Sequence, residues 1–143
     1  SLHPRLKRTS HTIRVECPEE LMINSFPGVF SQILTNFIIN SLVHAFDPKD
    51  AGKIFVAVSS GDDFLELKYH DNGKGVPAAA LTKIFDPFFT TKLDQGGSGI
   101  GLHIVYNLVT QRLNGHIECE STPGEGTTFT IQIPIEGGKY KQK

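Results

Sequence analysis

The run from Phe30 to Phe46 constrains this chain more than any other stretch, because it fits a helix whose two faces differ in kind. Phe30, Ile33, Leu34, Phe37, Ile38, Leu42 and Ala45 fall on one side of such a helix, while Gln32, Asn36, Asn40 and His44 recur every fourth residue on another. The apolar face builds a core. Amide and imidazole groups in a row cost free energy if buried without partners, so they are hydrated, bonded internally or turned toward something polar. Amphipathic helices with a polar row are common, and the row alone does not separate a ligand site from a wet surface.

The rest of the chain supplies strands to pack against that helix. Thr12 to Cys17 alternates, with Ile13, Val15 and Cys17 on one side, and predicts a half-buried strand. Ile54, Val56 and Val58, then a turn at Gly61-Asp62-Asp63, then Leu65, Leu67 and Tyr69 predict a hairpin. Ile117 and Cys119, a turn from Thr122 to Gly126, and Phe129, Ile131 and Ile133 repeat the pattern, and Leu21 to Ile23 reads as a short extended piece. Most strands have one polar face, so helices are needed on one side only. A second helix from about Gly99 to Leu113, burying Ile100, Ile104, Val105, Leu108 and Val109 and stopping at Gly115, completes that layer. The expected class is α+β: a two-layer α/β sandwich with a mixed, mostly antiparallel sheet and helices on one face.

At 143 residues the chain fits one domain, expected over residues 11–135, with 1–10 as a linker or the end of a preceding helix and 136–143 as a solvated tail. The formal net charge of -1 gives no electrostatic footprint for nucleic acid. No apolar run approaches a membrane span, so a cytoplasmic domain without direct membrane contact is expected. Cys17 and Cys119 lack metal-ligand or redox spacing and read as small buried thiols.

Eight of the fourteen glycines fall in three short clusters, at 73 and 75, at 96 to 101, and at 124 and 126. In Asp71-Asn72-Gly73-Lys74-Gly75, the glycines allow a sharp turn and close approach to a flat ligand, and the carboxylate can accept a hydrogen bond from an amino group. Gly96-Gly97-Ser98-Gly99-Ile100-Gly101-Leu102 runs into an apolar helix, whose unpaired N–H groups and dipole favour phosphate. Walker, dinucleotide-fingerprint and protein-kinase spellings are absent, and a flexible linker is the alternative. Between the clusters, Ile84-Phe85-Asp86-Pro87-Phe88-Phe89-Thr90-Thr91-Lys92 would anchor a lid hinged at Gly96 and Gly97.

Together these motifs resemble the ATP-binding catalytic domain of sensor histidine kinases, in the superfamily shared with DNA gyrase, the MutL proteins and Hsp-type chaperones. Asn36-x-x-x-Asn40 is similar to the N box, Asp71-x-Gly73-x-Gly75 to the first glycine box, Phe85 to Phe89 to the F box, and Gly97-x-Gly99-x-Gly101 to the second glycine box. Gly124-Glu125-Gly126-Thr127-Thr128-Phe129 is similar to the last glycine motif. The resemblance implies the Bergerat ATP-binding fold, with ATP and Mg²⁺ as ligands. Asn40 would be a metal ligand supported by Asn36; Asp71, with Gly73, Gly75 and Thr127, would receive adenine. Gly97, Ser98, Gly99, Ile100, Gly101 and Leu102 would hold phosphates, with His44 and Lys92 near them.

Hydrolytic members carry a Glu at the position of Asn36, and an amide cannot act as that base. The resemblance therefore implies transfer of the γ-phosphoryl group to a histidine in two-component signalling. An ATP-hydrolysing switch of the gyrase or chaperone type and a non-catalytic nucleotide sensor are the alternatives. Neither His44 nor His103, on the predicted helices, precedes an acidic residue as the family's phosphoacceptor does. The acceptor is thus expected on a separate dimerisation domain of the full-length protein, with a response regulator downstream.

Overall fold

The computed structural model describes residues 12–16, 27–47, 51–87, 101–136 and 139–140. In chain order the elements are β1 (Thr12–Glu16), α1 (Pro27–Asn40), β2 (Lys53–Ser60), β3 (Phe64–Asp71), α2 (Ala78–Leu81), α3 (Gly101–Asn107), β4 (His116–Thr122), β5 (Gly126–Glu136) and β6 (Lys139–Tyr140). The sheet order is β1-β2-β3-β5-β4, with β6 pairing back onto β5 from within the stretch expected to be a tail. β1 runs parallel to β2; every other pairing is antiparallel. Both predicted hairpins are present, and the sheet is mixed and mostly antiparallel as expected.

Alternation along the strands decides which residues meet the helices. Ile54, Val56 and Val58 of β2, Leu65, Leu67 and Tyr69 of β3, and Phe129, Ile131 and Ile133 of β5 are buried on one face. Phe30, Ile33, Phe37 and Ile38 of α1 and Val105 of α3, with Val109 and Leu113 beyond it, close over them. Each such side chain contributes about 1.5–3 kcal/mol by leaving water, which makes this interface the main source of stability. Phe37 is its centre, with ring centroids 4.9 Å from Tyr69 and 4.6 Å from Phe129.

Several expectations need correcting. The half-buried reading of β1 fails at Val15, which is 53% exposed. Alternation tells which side faces a core but not how far the core extends, and β1 forms the edge of the sheet. Both long helices end in wider turns: α1 continues as a π-helical segment over Ser41–Ala45 and α3 as another over Leu108–Arg112. Their closing bonds span five residues, from Phe46 N–H to Ser41 O at 3.2 Å and from Leu113 N–H to Leu108 O at 3.0 Å. The left-handed residue after α3 is Asn114, at φ 54°, not Gly115. Gly115 is required instead by space, because a side-chain carbon there would sit 2.6 Å from Gln132 O. The sequence reading assigns no element to residues 78–81, where Pro77 at the N-cap and a run of alanines form α2. Cys119 is half-buried rather than buried, and Cys17 and Leu21 to Ile23 lie outside the described residues.

Candidate nucleotide-binding site

The inward face of the sheet does not stay apolar to its end. β3 continues its buried positions Leu65, Leu67 and Tyr69 into Asp71, and β5 begins its own with Thr127 before Phe129. The two polar residues are register partners on adjacent strands, and they are only 1% and 4% exposed. They line a groove together with Asn40, His44, Ala45, Gly75, Val76, Pro77, Ala80, Ile84, Leu102 and Phe129. It encloses about 680 Å³ of empty space, open mouth included. Its walls are mostly apolar, and its polar groups are few.

Asp71 and Thr127 are both held. Asp71 Oδ1 accepts from Gly73 N–H at 3.0 Å, and Oδ2 lies 2.9 Å from Ser41 Oγ. Ser41 Oγ is 2.7 Å from the Tyr69 hydroxyl, which reaches Phe37 O at 3.1 Å. Ser41 donates to Asp71 Oδ2 and Tyr69 donates to Phe37 O, so the two hydroxyls tie the carboxyl back to α1. Burial pushes the Asp71 carboxyl above its ordinary value, against the lowering effects of the Gly73 N–H, Ser41, His70 and the Thr127 N–H. Burial also pushes the Tyr69 phenol up. Across the groove floor, Thr127 Oγ1 is 2.9 Å from Ser121 Oγ, which donates to Gly126 O at 2.8 Å and accepts from Val76 N–H at 2.7 Å. Thr127 is thereby fixed to the strand turn and to the loop that carries α2.

The structure brings Asn40, His44, Asp71, Gly75, Leu102 and Thr127 together around the groove. Asn36 is set apart from its lining, beside the start of α3, where a side-chain carbon on Gly101 would lie 3.6 Å from Asn36 Oδ1. The glycines of the first cluster answer to the chain's own backbone. A carbon on Gly73 would meet Ala45 O at 2.5 Å, and one on Gly75, at φ 78°, would strike Thr122 O. Lys92, Gly97, Ser98, Gly99 and Ile100 lie outside the described residues, as does the far part of the predicted lid. Its near end is fixed: the Phe85 ring lies 5.5 Å from Tyr106 and 6.1 Å from Phe129, and His103 Nδ1 is 3.0 Å from Phe85 O. His103 had no role in the sequence reading. His70 and Asp71 spell His-Asp, but His70 sits on a strand, 2.8 Å from Thr128 Oγ1.

Sequence reasoning also missed Ser41, Val76, Ala80 and Ile84. Ser41 carried a signal, for it interrupts the apolar helix stripe between Phe37 and Ala45. The other three follow only from the position of α2 against the sheet.

A family model described as histidine kinase-, DNA gyrase B-, and HSP90-like ATPase matches residues 27–137. The chain belongs to this ATPase family. Among members of known name, the sensor histidine kinase ZraS of Klebsiella oxytoca is 40% identical over 121 residues, covering 84% of this chain and 25% of that protein. The sensor histidine kinase RcsC of Escherichia coli (strain K12) is 32% identical over 133 residues, covering 90% of this chain and 14% of that protein. The chain thus spans a quarter or less of these relatives. Its fold is that of the catalytic domain of histidine kinase ThkA, with a TM-score of 0.75 at 24% identity over 95% of this chain and 86% of that one. Full-length ShkA, solved in complex with AMPPNP, aligns with a TM-score of 0.74 at 25% identity, covering 96% of this chain and 28% of that one. The ATPase-family chain described here is therefore of the sensor histidine kinase type, with the two-layer sandwich expected of it.

Proposed function

We propose that this chain binds Mg-ATP in the groove and supplies the γ-phosphoryl group to a histidine on a separate dimerisation domain. The observation that carries this reading is the buried acceptor Asp71 at the end of an apolar slot. A buried carboxyl that lines a cavity selects a ligand with an amino group to offer, and adenine is flat, apolar on both faces and amino-bearing. Asp71 accepts from that amino group, Thr127 stands beside it, and Val76, Ile84, Leu102 and Phe129 cover the ring faces. The stretch from Gly97 to Gly101 carries the phosphates, with Lys92 and His44 near them.

Mg²⁺ fits the donors present only as a lightly held ion. Among the described residues no group of three or more His, Cys, Asp or Glu could hold a metal. Asn40, which lines the groove, offers one amide oxygen and Asn36 supports the surrounding water, in keeping with an ion that takes most of its ligands from phosphate and water. When bound, Mg²⁺ neutralises phosphate charge. Because position 36 holds an amide rather than a carboxylate, a water molecule has no base at that position, which favours transfer over hydrolysis. Among the described residues no helix is long and apolar enough to cross a membrane. The domain works in the cytoplasm, away from membrane and nucleic acid, with a response regulator as the later recipient.

Incubation with γ-labelled ATP, Mg²⁺ and a histidine-bearing dimerisation domain transfers label to that domain. A competent acceptor that stays unlabelled sinks the reading. Calorimetric titration of Mg-ATP gives binding for the native chain and its loss in Asp71→Ala, with the fold retained.

A further inference from the structure

Ser41 is fully buried, yet it sits on the apolar stripe of α1 and its π-helical continuation, where an alanine would pack as well and bury no hydroxyl. A buried hydroxyl costs free energy unless its bonds are made. Its partners are Asp71 Oδ2 at 2.9 Å and the Tyr69 hydroxyl at 2.7 Å, on a strand thirty and twenty-eight residues away in sequence. Tyr69 is itself tied back to α1 through Phe37 O at 3.1 Å.

The Asp71 carboxyl is held from three sides, by the Thr127 N–H of the neighbouring strand, by the Gly73 N–H and by Ser41. The Gly73 N–H on Oδ1 comes from the loop that follows the strand, only two residues on. Ser41 on Oδ2 comes from the opposite layer of the sandwich, so it fixes the carboxyl plane relative to the helix that forms one wall of the groove. Rotation of the carboxyl breaks these bonds at once. Removal of Ser41 leaves only bonds from the sheet layer itself, with nothing to fix the carboxyl against the helix.

We propose that Ser41, backed by Tyr69, is a positioning residue for base selectivity: it orients the Asp71 carboxyl so that its remaining lone pairs meet the exocyclic amino group of a 6-aminopurine. This rests on the nucleotide reading above. Ser41 touches no ligand and acts through Asp71.

The test compares Mg-ATP with the Mg complex of purine riboside triphosphate, which lacks only the amino group, by calorimetry on the 143-residue chain. The native chain prefers ATP. In Ser41→Ala the affinity for ATP falls about tenfold, the size of one hydrogen bond lost, while that for the amino-free nucleotide changes less than about twofold. Tyr69→Phe keeps the ring and removes the hydroxyl behind Ser41; it gives a smaller loss of the same selective kind, and it decides the matter if Ser41→Ala does not fold. Equal losses for the two nucleotides, or none for ATP, overturn the proposal by reducing Ser41 to packing. A native chain that binds both nucleotides equally also overturns it. A native chain that binds neither removes the nucleotide reading itself.

Discussion

Phe37 on α1 and Phe129 on β5 lie ring over ring, with centroids 4.6 Å apart and planes 21° from parallel. Phe37 is part of the buried core, whereas Phe129 both belongs to that core and lines the groove, so one contact joins the stability of the sandwich to the floor of the site. Phe37→Ala is expected to cost about 3–5 kcal/mol, from lost burial and the cavity left behind. Phe37→Leu, which keeps most of the volume but not the ring pair, costs about 1–2 kcal/mol. Urea denaturation midpoints for both variants check this, and an alanine variant as stable as the native chain refutes it.

Asp71 makes stability depend on pH in a definite direction. Burial raises its folded value above the ordinary 3.8, so the folded state holds the proton more tightly than the unfolded state. The stability it contributes is complete below 3.8 and is lost as pH rises through the folded value. Asp71→Asn keeps the shape of the side chain and stays neutral throughout. The thermal midpoint of Asp71→Asn relative to the native chain therefore rises as pH climbs above about 4. A difference that is flat, or that falls, contradicts the burial argument.

Two glycines of one turn separate conformational strain from collision. Gly124 has φ 84° and open space where a side chain would go, while Gly126 has φ 96° and would drive a side-chain carbon into Asp71 O. Gly124→Ala costs about 1–2 kcal/mol for the left-handed backbone alone. Gly126→Ala adds displacement of β3 at Asp71 and costs roughly 3 kcal/mol or more. Equal denaturation midpoints for the two variants are the result this account does not allow.

Cys119 is expected to be inert. Burial, then the charges of Asp71 and Glu120, push its thiol up to about 12 from 9.0. At about pH 8 its alkylation by iodoacetamide is on the order of a hundredfold slower in the folded chain than in urea, read by mass spectrometry of the Cys119 peptide. Comparable rates in the two states count against it.

The helix of Phe30 to Ala45, the two hairpins and the side of each strand that faces the core were legible because period 3.6 and period 2 are local properties of sequence. Asp71 and Thr127 were legible as a pair of motif residues. Their burial, which the sequence reading did not reach, extends the strand alternation one step further. Ser41 was overlooked because a serine on an apolar stripe reads as a small gap until the strand that supplies its partners is beside it. Gly73 and Gly75 were read as making room for a ligand, but Ala45 O and Thr122 O are what they make room for. Such contacts bring together residues far apart in the chain, and no window of sequence contains both.

The sequence by itself determined the two-layer class, the strand faces and the residue types at the groove, since hydrophobic spacing and glycine placement act within a few residues. Only the tertiary structure decided that β1 would be an exposed edge, that α2 would wall the groove, and that Asp71 would hang from Ser41 and Tyr69. Those outcomes depend on which surfaces meet once loops close, and on where a buried polar group can find a partner across the layers.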